Sequence, residues 1–498
     1  MSPSPMTADL ILAIDQGTTG STCLVVDTEL RVLGRVNHEF PQHFPRPGWV
    51  EHDPEQLWTS VMKAVADALA QSGAGPERVA AIGITNQRET SLLWDRKSGE
   101  PLHRALVWQD RRTSGLCADL KAAGHEARVR ELTGLVLDPY FSGTKLRWVL
   151  DHVDGARERA EAGRLAAGTV DTYLLWRLTG GAVHATEPSN ASRTLLWPLA
   201  GGGWSDEMCE LLRVPRAVLP EVRPCAGEFG RTKGVPGLPD GIPICGIAGD
   251  QQSALFGQAC FVKGQAKCTY GTGAFVLLNT GTEPVASKHG LLTTVAWQLG
   301  EATTYALEGS SFMAGAVVQW LRDQLGIIQS AAEVEALARS VEDSGGVVLV
   351  PGHAGLGAPH WRPEARGLIR GITRGTGRGH LARAALEGIA LQIADLVEAM
   401  AADLGSPAKL LRVDGGAAAN DLLMQIQADL LGIPLDRPKM LETTALGAIS
   451  LAGLGVGLWP NTAALERAWQ RDREFEPNAG AAGLGELRKA WRAAIECA

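Results

Sequence analysis

The chain has 498 residues, 45% hydrophobic and 20% charged, ordinary globular proportions that exclude a disordered protein. Its 47 basic and 55 acidic residues leave a net charge of −8. That balance argues against a sequence-blind nucleic-acid binder, which needs a basic surface to displace phosphate counterions. At roughly 150 residues per domain, the length predicts two to four domains. No run approaches the ~20 apolar residues of a membrane-spanning helix. The apolar stretch at residues 10–14 is too short for a signal peptide and has no basic region before it. Eight cysteines without C-x-x-C spacing read as reduced and mostly buried, so the expected location is the cytoplasm.

Strand-like apolar runs alternate with helix-like segments along the whole chain, which predicts α/β architecture. Residues 10–14 form a first strand, followed by a turn-rich stretch at 15–21 and strands at 22–26 and near 30–34. Asp53-Pro54 supplies a cap and a first-turn proline for a helix over 55–71. A strand at 79–84 ends in Thr85-Asn86-Gln87-Arg88-Glu89. A strand-like run at 244–248 leads to Asp250, which as a bare residue can cap the helix predicted at 251–256. Near residue 265 the opening motif recurs as strand, Gly-Thr-Gly turn and strand over 267–279. This suggests an internal duplication, with two related halves meeting near residues 255–265. A helix over 380–404 carries Leu386, Ile389, Ile393, Val397 and Met400 on one face, a core pattern. Helices are also predicted at 422–431 and, in the Gly/Ala-rich tail, at 484–494.

Familiar nucleotide fingerprints are missing: there is no G-x-x-x-x-G-K-[ST] and no G-x-G-x-x-G after a strand. Three separated turns rich in Gly, Thr or Ala stand instead, at 15–21, 270–273 and 413–420. Glycine lets backbone N–H groups converge on phosphate oxygens without a Cβ in the way, and threonine hydroxyls add donors. Asp15 ends a strand just before the first turn, a suitable place for Mg²⁺, which prefers few carboxylates plus phosphate oxygens. Close glycines in Asp414-Gly415-Gly416-Ala417-Ala418-Ala419-Asn420 would let a flat adenine pack on backbone. Each turn alone reads as a plain hairpin; in this order, with the first two related by repeat, they point to a split nucleotide site.

These turns resemble the phosphate-1, phosphate-2 and adenosine elements shared by sugar kinases, actin and heat-shock chaperone ATPases. Longer motifs narrow the likeness: Asp15-Gln16-Gly17-Thr18-Thr19, Thr85 through Thr90, Trp108-Gln109-Asp110-Arg111-Arg112, Asp138 through Lys145, Gly249-Asp250-Gln251-Gln252, and Gly355-Leu356-Gly357-Ala358-Pro359. Over about residues 11–477 the chain resembles the FGGY carbohydrate kinases, and among them those acting on glycerol. The resemblance implies two ribonuclease-H-like (actin/hexokinase-type) α/β domains, at 9–257 and 264–477, with a cleft between them and a helical tail at 478–498. It implies phosphorylation of glycerol to sn-glycerol 3-phosphate with ATP and Mg²⁺, with glycerol and ATP as partners, no nucleic acid and no membrane insertion. A homodimer or homotetramer is also implied.

By the same resemblance, Arg88, Glu89, Tyr140, Asp250 and Gln251 contact the polyol, with Asp250 as the general base. Trp108 and Phe275 match the aromatic pair that packs on the carbon backbone, leaving little room for a longer sugar. Thr18, Thr19, Gly20, Thr272, Gly315, Gln319, Gly416 and Asn420 fall on nucleotide positions, and Asp15 on the Mg²⁺ position. Plainer readings remain open: Arg88-Glu89 as a surface ion pair, Tyr140 and Trp108 as core aromatics. Another FGGY sugar or polyol kinase, or a non-enzymatic actin-like ATPase, are the alternative functions. One departure stands out. Relatives inhibited by fructose 1,6-bisphosphate carry a Gly-Gly-x-Gly-Gly-x-Arg loop, whereas residues 234–241 here read GVPGLPDG, with no arginine. Pro236 and Pro239 remove two N–H donors and Asp240 adds a negative charge, although Arg231 and Lys233 lie just upstream. The expectation is a loss of that inhibition.

Overall fold

A computed structural model describes residues 8–478 and 483–498. The start of the N-terminal stretch and residues 479–482 of the tail lie outside the described residues. The chain divides into two units, one comprising residues up to 259 with 293–305 and 443–468, the other 260–292, 306–442 and 469–498.

The first unit is built on a six-stranded sheet. Its spatial order is Ala226–Arg231, Pro243–Gly249, Val79–Asn86, Leu10–Gln16, Gly20–Asp27, Val32–Glu39. Leu10–Gln16 and Pro243–Gly249 both run parallel to Val79–Asn86, while the outer strands are antiparallel. Parallel strands are covered on both faces, which is why Leu10 through Ile14 is an unbroken apolar run with no exposed member. The first strand extends through Asp15 and Gln16, past the predicted end, and the third begins later than predicted, at Val32. The delay has a local cause: Asp27 Oδ1 accepts from the N–H groups of Glu29 and Arg31, closing a turn at Leu30. The helix Pro54–Ser72 is capped as its sequence predicts, with Asp53 accepting from Glu55 and Gln56, and stops at Gly73 in the left-handed region.

Register sets where chemistry can occur. Gln16 and Gly249 are both opposite Asn86, so the three parallel strands end at one level. The segments that follow them, beginning at Gly17, Gln87 and Asp250, therefore emerge at the same edge. Open α/β sheets place ligands outside the carboxyl ends of such strands.

Segment 443–468 groups with the first unit, although a boundary at 257–264 leaves it in the second half of the sequence. Small residues explain the association. The helix Thr443–Gly455 lies so close to the sheet that a Cβ on Gly83 or Gly246 would sit 2.3 Å from the backbone of Ala448 or Ala452. Gly455 reciprocates, with Cys245 O of the sheet 2.2 Å from where its Cβ would be.

The second unit repeats the strand logic. Gln265–Tyr270 pairs antiparallel with Ala274–Gly281 and parallel with Leu410–Asp414, which is parallel to Leu435–Pro438, itself antiparallel to Arg471–Phe475. Over these five strands the pairing repeats that of the first unit, within a sheet of seven strands where the first has six, so the duplication suggested by two short motifs extends to the core of the topology. The helix Arg378–Leu404 begins two residues before the predicted start and buries Leu386, Ile389, Ile393, Val397 and Met400. No described helix is long and apolar enough to cross a membrane.

Candidate functional site

At the carboxyl edge of the first sheet, one guanidinium gathers three groups. Arg88 Nε lies 3.1 Å from Asp250 Oδ1, Nη1 donates to Gln252 Oε1 at 3.2 Å, and Nη2 donates to Tyr140 Oη at 3.3 Å. Arg88 is 2% exposed but Asp250 29%, so the pair is not a solvated surface bridge and its carboxylate reaches solvent. Asp250 is the first residue of the helix Asp250–Gly257, and Gly249 is its N-cap. Its Oδ1 also accepts from the Gln251 N–H at 2.6 Å, but the predicted capping role is not met: the helix starts at Asp250 itself and its N-cap is Gly249.

Glu89 has φ of +58°, rare for a residue with a Cβ, and this kink turns the chain away from the strand. Its Oε1 accepts from Arg193 Nε at 2.6 Å, with both side chains buried. The Arg193 guanidinium in turn lies over the rings of Phe141 and Tyr140, 5.2 and 5.6 Å from their centroids. Trp108 packs edge-on against Tyr140, with ring centroids 5.7 Å apart. Its Nε1 donates to Thr18 Oγ1 at 2.9 Å, so the indole ties the aromatic wall to the first Gly/Thr turn. Five predicted residues, Thr18, Arg88, Trp108, Tyr140 and Asp250, thus form one contact chain. Phe275 belongs to the second unit, half-buried at the start of the strand Ala274–Gly281.

Several residues without an expected role hold this set. Gln87 Nε2 donates to Gln16 Oε1 and Gly17 O, joining two strand ends under the turn. Asp110 and Arg112 are buried partners that anchor the loop carrying Trp108, and Arg112 is stacked 3.7 Å over Trp49. Lys145 is buried beneath Tyr140 and donates to the Tyr140 and Phe141 carbonyls; burial pushes its ammonium down to about 8. Glu187 is fully buried, and burial pushes its carboxyl up to about 7 against the pull of the Cys225 thiol and the Ser189 donors. No local pattern marks Lys145, Glu187 or Arg193 as interior charges; only their long-range partners do.

The first turn is tight: Gly17 N donates to Gly20 O at 2.9 Å, Thr19 is exposed, and a Cβ on Gly20 would meet His38 O at 3.0 Å. Asp15, half-buried, sits between Thr22 and Thr85 on the neighbouring strands. In the second unit, Thr272 lies exposed in the Gly271–Gly273 turn. The start of the helix Gly315–Asp323 is pinned there, with Gly315 N donating to Gly271 O and Ala316 N to Thr272 O. A Cβ on Gly315 would lie 2.7 Å from Gly271 O, which accounts for that glycine, and Gln319 is exposed on the same helix. Gly416 is exposed with open space around its Cα. Asn420 Oδ1 caps the helix Asp421–Leu431 by accepting from Leu423 N, so its oxygen has a structural task. Among the described residues no group of three or more His, Cys, Asp or Glu is placed to hold a metal unaided.

Known proteins agree with this architecture. Residues 10–257 match the N-terminal domain of the FGGY family of carbohydrate kinases and residues 266–456 its C-terminal domain. The chain is 59% identical to a glycerol kinase of Myxococcus xanthus, over 98% of this chain and 99% of that one. It is 57% identical to a glycerol kinase of Alkalilimnicola ehrlichii, covering 97% of each. The structure of a Plasmodium falciparum glycerol kinase with ADP superposes with a TM-score of 0.93 at 35% identity, covering 99% of this chain and 98% of that one. A gluconate kinase of Lactobacillus acidophilus, 21% identical with a TM-score of 0.87 over 98% and 97% of the two chains, shares the fold. Matching domain models in order across both units, this chain belongs to the FGGY family of carbohydrate kinases.

Proposed function

We propose that this kinase transfers the γ-phosphoryl group of ATP to a terminal hydroxyl of glycerol, giving sn-glycerol 3-phosphate and ADP. The observation that carries the reading is the Arg88 fork, which holds Asp250, Tyr140 and Gln252 together at the strand ends. A triol needs donors and acceptors at fixed places, and Arg88, Glu89, Tyr140, Asp250 and Gln251 are of that kind. Asp250 takes the hydroxyl proton onto its carboxylate as the alcohol oxygen attacks the γ-phosphorus and ADP departs. Trp108 and Phe275 set the room along the carbon chain. Thr18, Thr19 and Gly20, with Thr272, Gly315, Gln319, Gly416 and Asn420, bind the nucleotide, largely through backbone donors and hydroxyls. Positioning and charge stabilisation do most of the work in such transfers.

The donor set fits Mg²⁺: Asp15 is a single carboxylate beside the turn, and this ion fills its remaining sites with water and phosphate oxygens. When bound, it neutralises phosphate charge. The same reading puts the chain in a reducing cytoplasm, supported by eight free cysteines of which seven are buried. It also includes a homodimer or homotetramer, which sedimentation equilibrium tests. A coupled assay comparing glycerol, xylulose and gluconate tests the substrate. Glycerol should be preferred; preference for either longer substrate, or ATP turnover indifferent to all three, would overturn the assignment.

The loop at 234–241 is closed on itself. Asp240 Oδ1 accepts from Gly234 N at 2.7 Å, Thr232 Oγ1 donates to Pro239 O, and Arg231 is engaged by Glu228 and the Gly241 carbonyl. A carboxylate thus occupies the donor that an anionic ligand would use. We therefore expect no appreciable inhibition by fructose 1,6-bisphosphate at millimolar concentration. Clear inhibition that Arg231→Ala or Lys233→Ala abolishes would refute this.

A further inference from the structure

We propose that Glu187 is a positioning residue for phosphoryl transfer, holding through Ser189 and Asn190 the two backbone segments that deliver Asp250 and Arg88. The proposal rests on the polyol reading of those two residues given above. Glu187 caps the short helix Pro188–Ala191, and every partner of its carboxylate is a donor. Oε1 accepts from Ser189 Oγ at 2.7 Å, Asn190 N at 2.7 Å and Asn190 Nδ2 at 3.0 Å. Oε2 accepts from Ser189 N at 2.6 Å and from the Cys225 thiol at 2.9 Å. One buried group therefore fixes the orientation of both the serine hydroxyl and the asparagine amide.

Each of these passes the constraint onward. Ser189 Oγ, its proton committed to Glu187, accepts from Gly249 N at 2.9 Å. Gly249 immediately precedes Asp250 and, as the helix N-cap, offers no side-chain cap of its own. Asn190 and Asn86 exchange amide hydrogen bonds at 2.9 and 3.0 Å, and Asn86 Nδ2 also donates to Gln87 O at 2.8 Å. Gln87 immediately precedes Arg88. The contact between Arg88 Nε and Asp250 Oδ1 thus spans two chain segments that share a single buried anchor. Asp171, the neighbouring buried carboxylate, is occupied separately by Thr169 and Thr186.

Glu187→Gln tests this with little change in volume, because its amide turns N–H groups toward a cage made of donors. A misplacement of the reacting groups should lower kcat for glycerol phosphorylation about 30- to 100-fold. The KM for ATP should change far less than kcat, since the anchor reaches the first turn only indirectly, through Gln87 Nε2 to Gly17 O. Ser189→Ala should lower kcat about tenfold by leaving Gly249 N without its acceptor. The double variant should be no worse than Glu187→Gln alone, because the Ser189 bond to Gly249 is one of the two branches that Glu187 already holds. Asp250→Asn is assayed alongside. If it keeps its activity, the polyol reading falls, and this proposal with it. If Asp250→Asn is inactive while Glu187→Gln has normal kcat, only the positioning role is overturned. Losses that multiply in the double variant, or an equal rise in both KM values with a lowered melting temperature, would likewise show a merely structural carboxylate.

Discussion

Replacing Asp250 by Asn should lower kcat by about 10²- to 10⁴-fold, the usual worth of a positioned general base. The geometry makes this substitution a clean test. Asp250 Oδ1 accepts from Gln251 N and faces Arg88 Nε, so it has a structural task. An asparagine whose carbonyl oxygen keeps both contacts presents an NH₂ where Oδ2 stood. The helix start and the Arg88 fork are retained while the ability to take a proton is lost. Glycerol affinity, measured calorimetrically with a non-reacting nucleotide, should therefore change little. A variant with near-normal kcat would remove Asp250 from the proton-transfer role.

The sequence made much of the framework legible because local chemistry and long-range order agreed there. Unbroken apolar runs mark strands covered on both faces, and Asp53-Pro54 marks a helix start that the fold keeps. Arg88 and Asp250 are singled out by the motifs that carry the family resemblance, each just past a strand end, and parallel register brings those ends to one level. Interior charges were not legible. Arg193 and Glu187 stand in a polar stretch, Thr186 through Thr194, whose composition carries no sign of burial. Their burial depends on Glu89, Tyr140 and Cys225, partners distant in sequence that only the fold supplies. The helix Thr443–Gly455 was hidden for a different reason. Its contact with the first sheet depends on glycines of both elements, whose significance lies in the missing side chains. Asn420 shows the converse: a residue read as part of an adenosine element also carries an ordinary helix-capping bond.

Arg88→Ala should reduce kcat/KM for glycerol by at least tenfold to a hundredfold, the loss of roughly 1.5–3 kcal/mol expected for hydrogen bonds to a charged group. The structure also predicts how that loss divides. If Arg88 served only to bind the polyol, KM would rise and kcat would stand. Its Nε, however, lies 3.1 Å from the carboxylate assigned as the base, while the other two nitrogens hold Gln252 and Tyr140. Removing the fork therefore releases the base along with a substrate contact, and kcat should fall together with the rise in KM. Arg88→Lys separates the two contributions: an ammonium restores the charge but cannot reach three acceptors in the planar geometry of a guanidinium. It should recover part of the glycerol affinity and little of the lost kcat. ATP affinity, measured by calorimetry, should be nearly intact in both variants, because the groups that Arg88 holds, Asp250, Gln252 and Tyr140, lie outside the set read as nucleotide contacts. Equal losses of glycerol and ATP affinity would instead assign Arg88 to the stability of the strand ends.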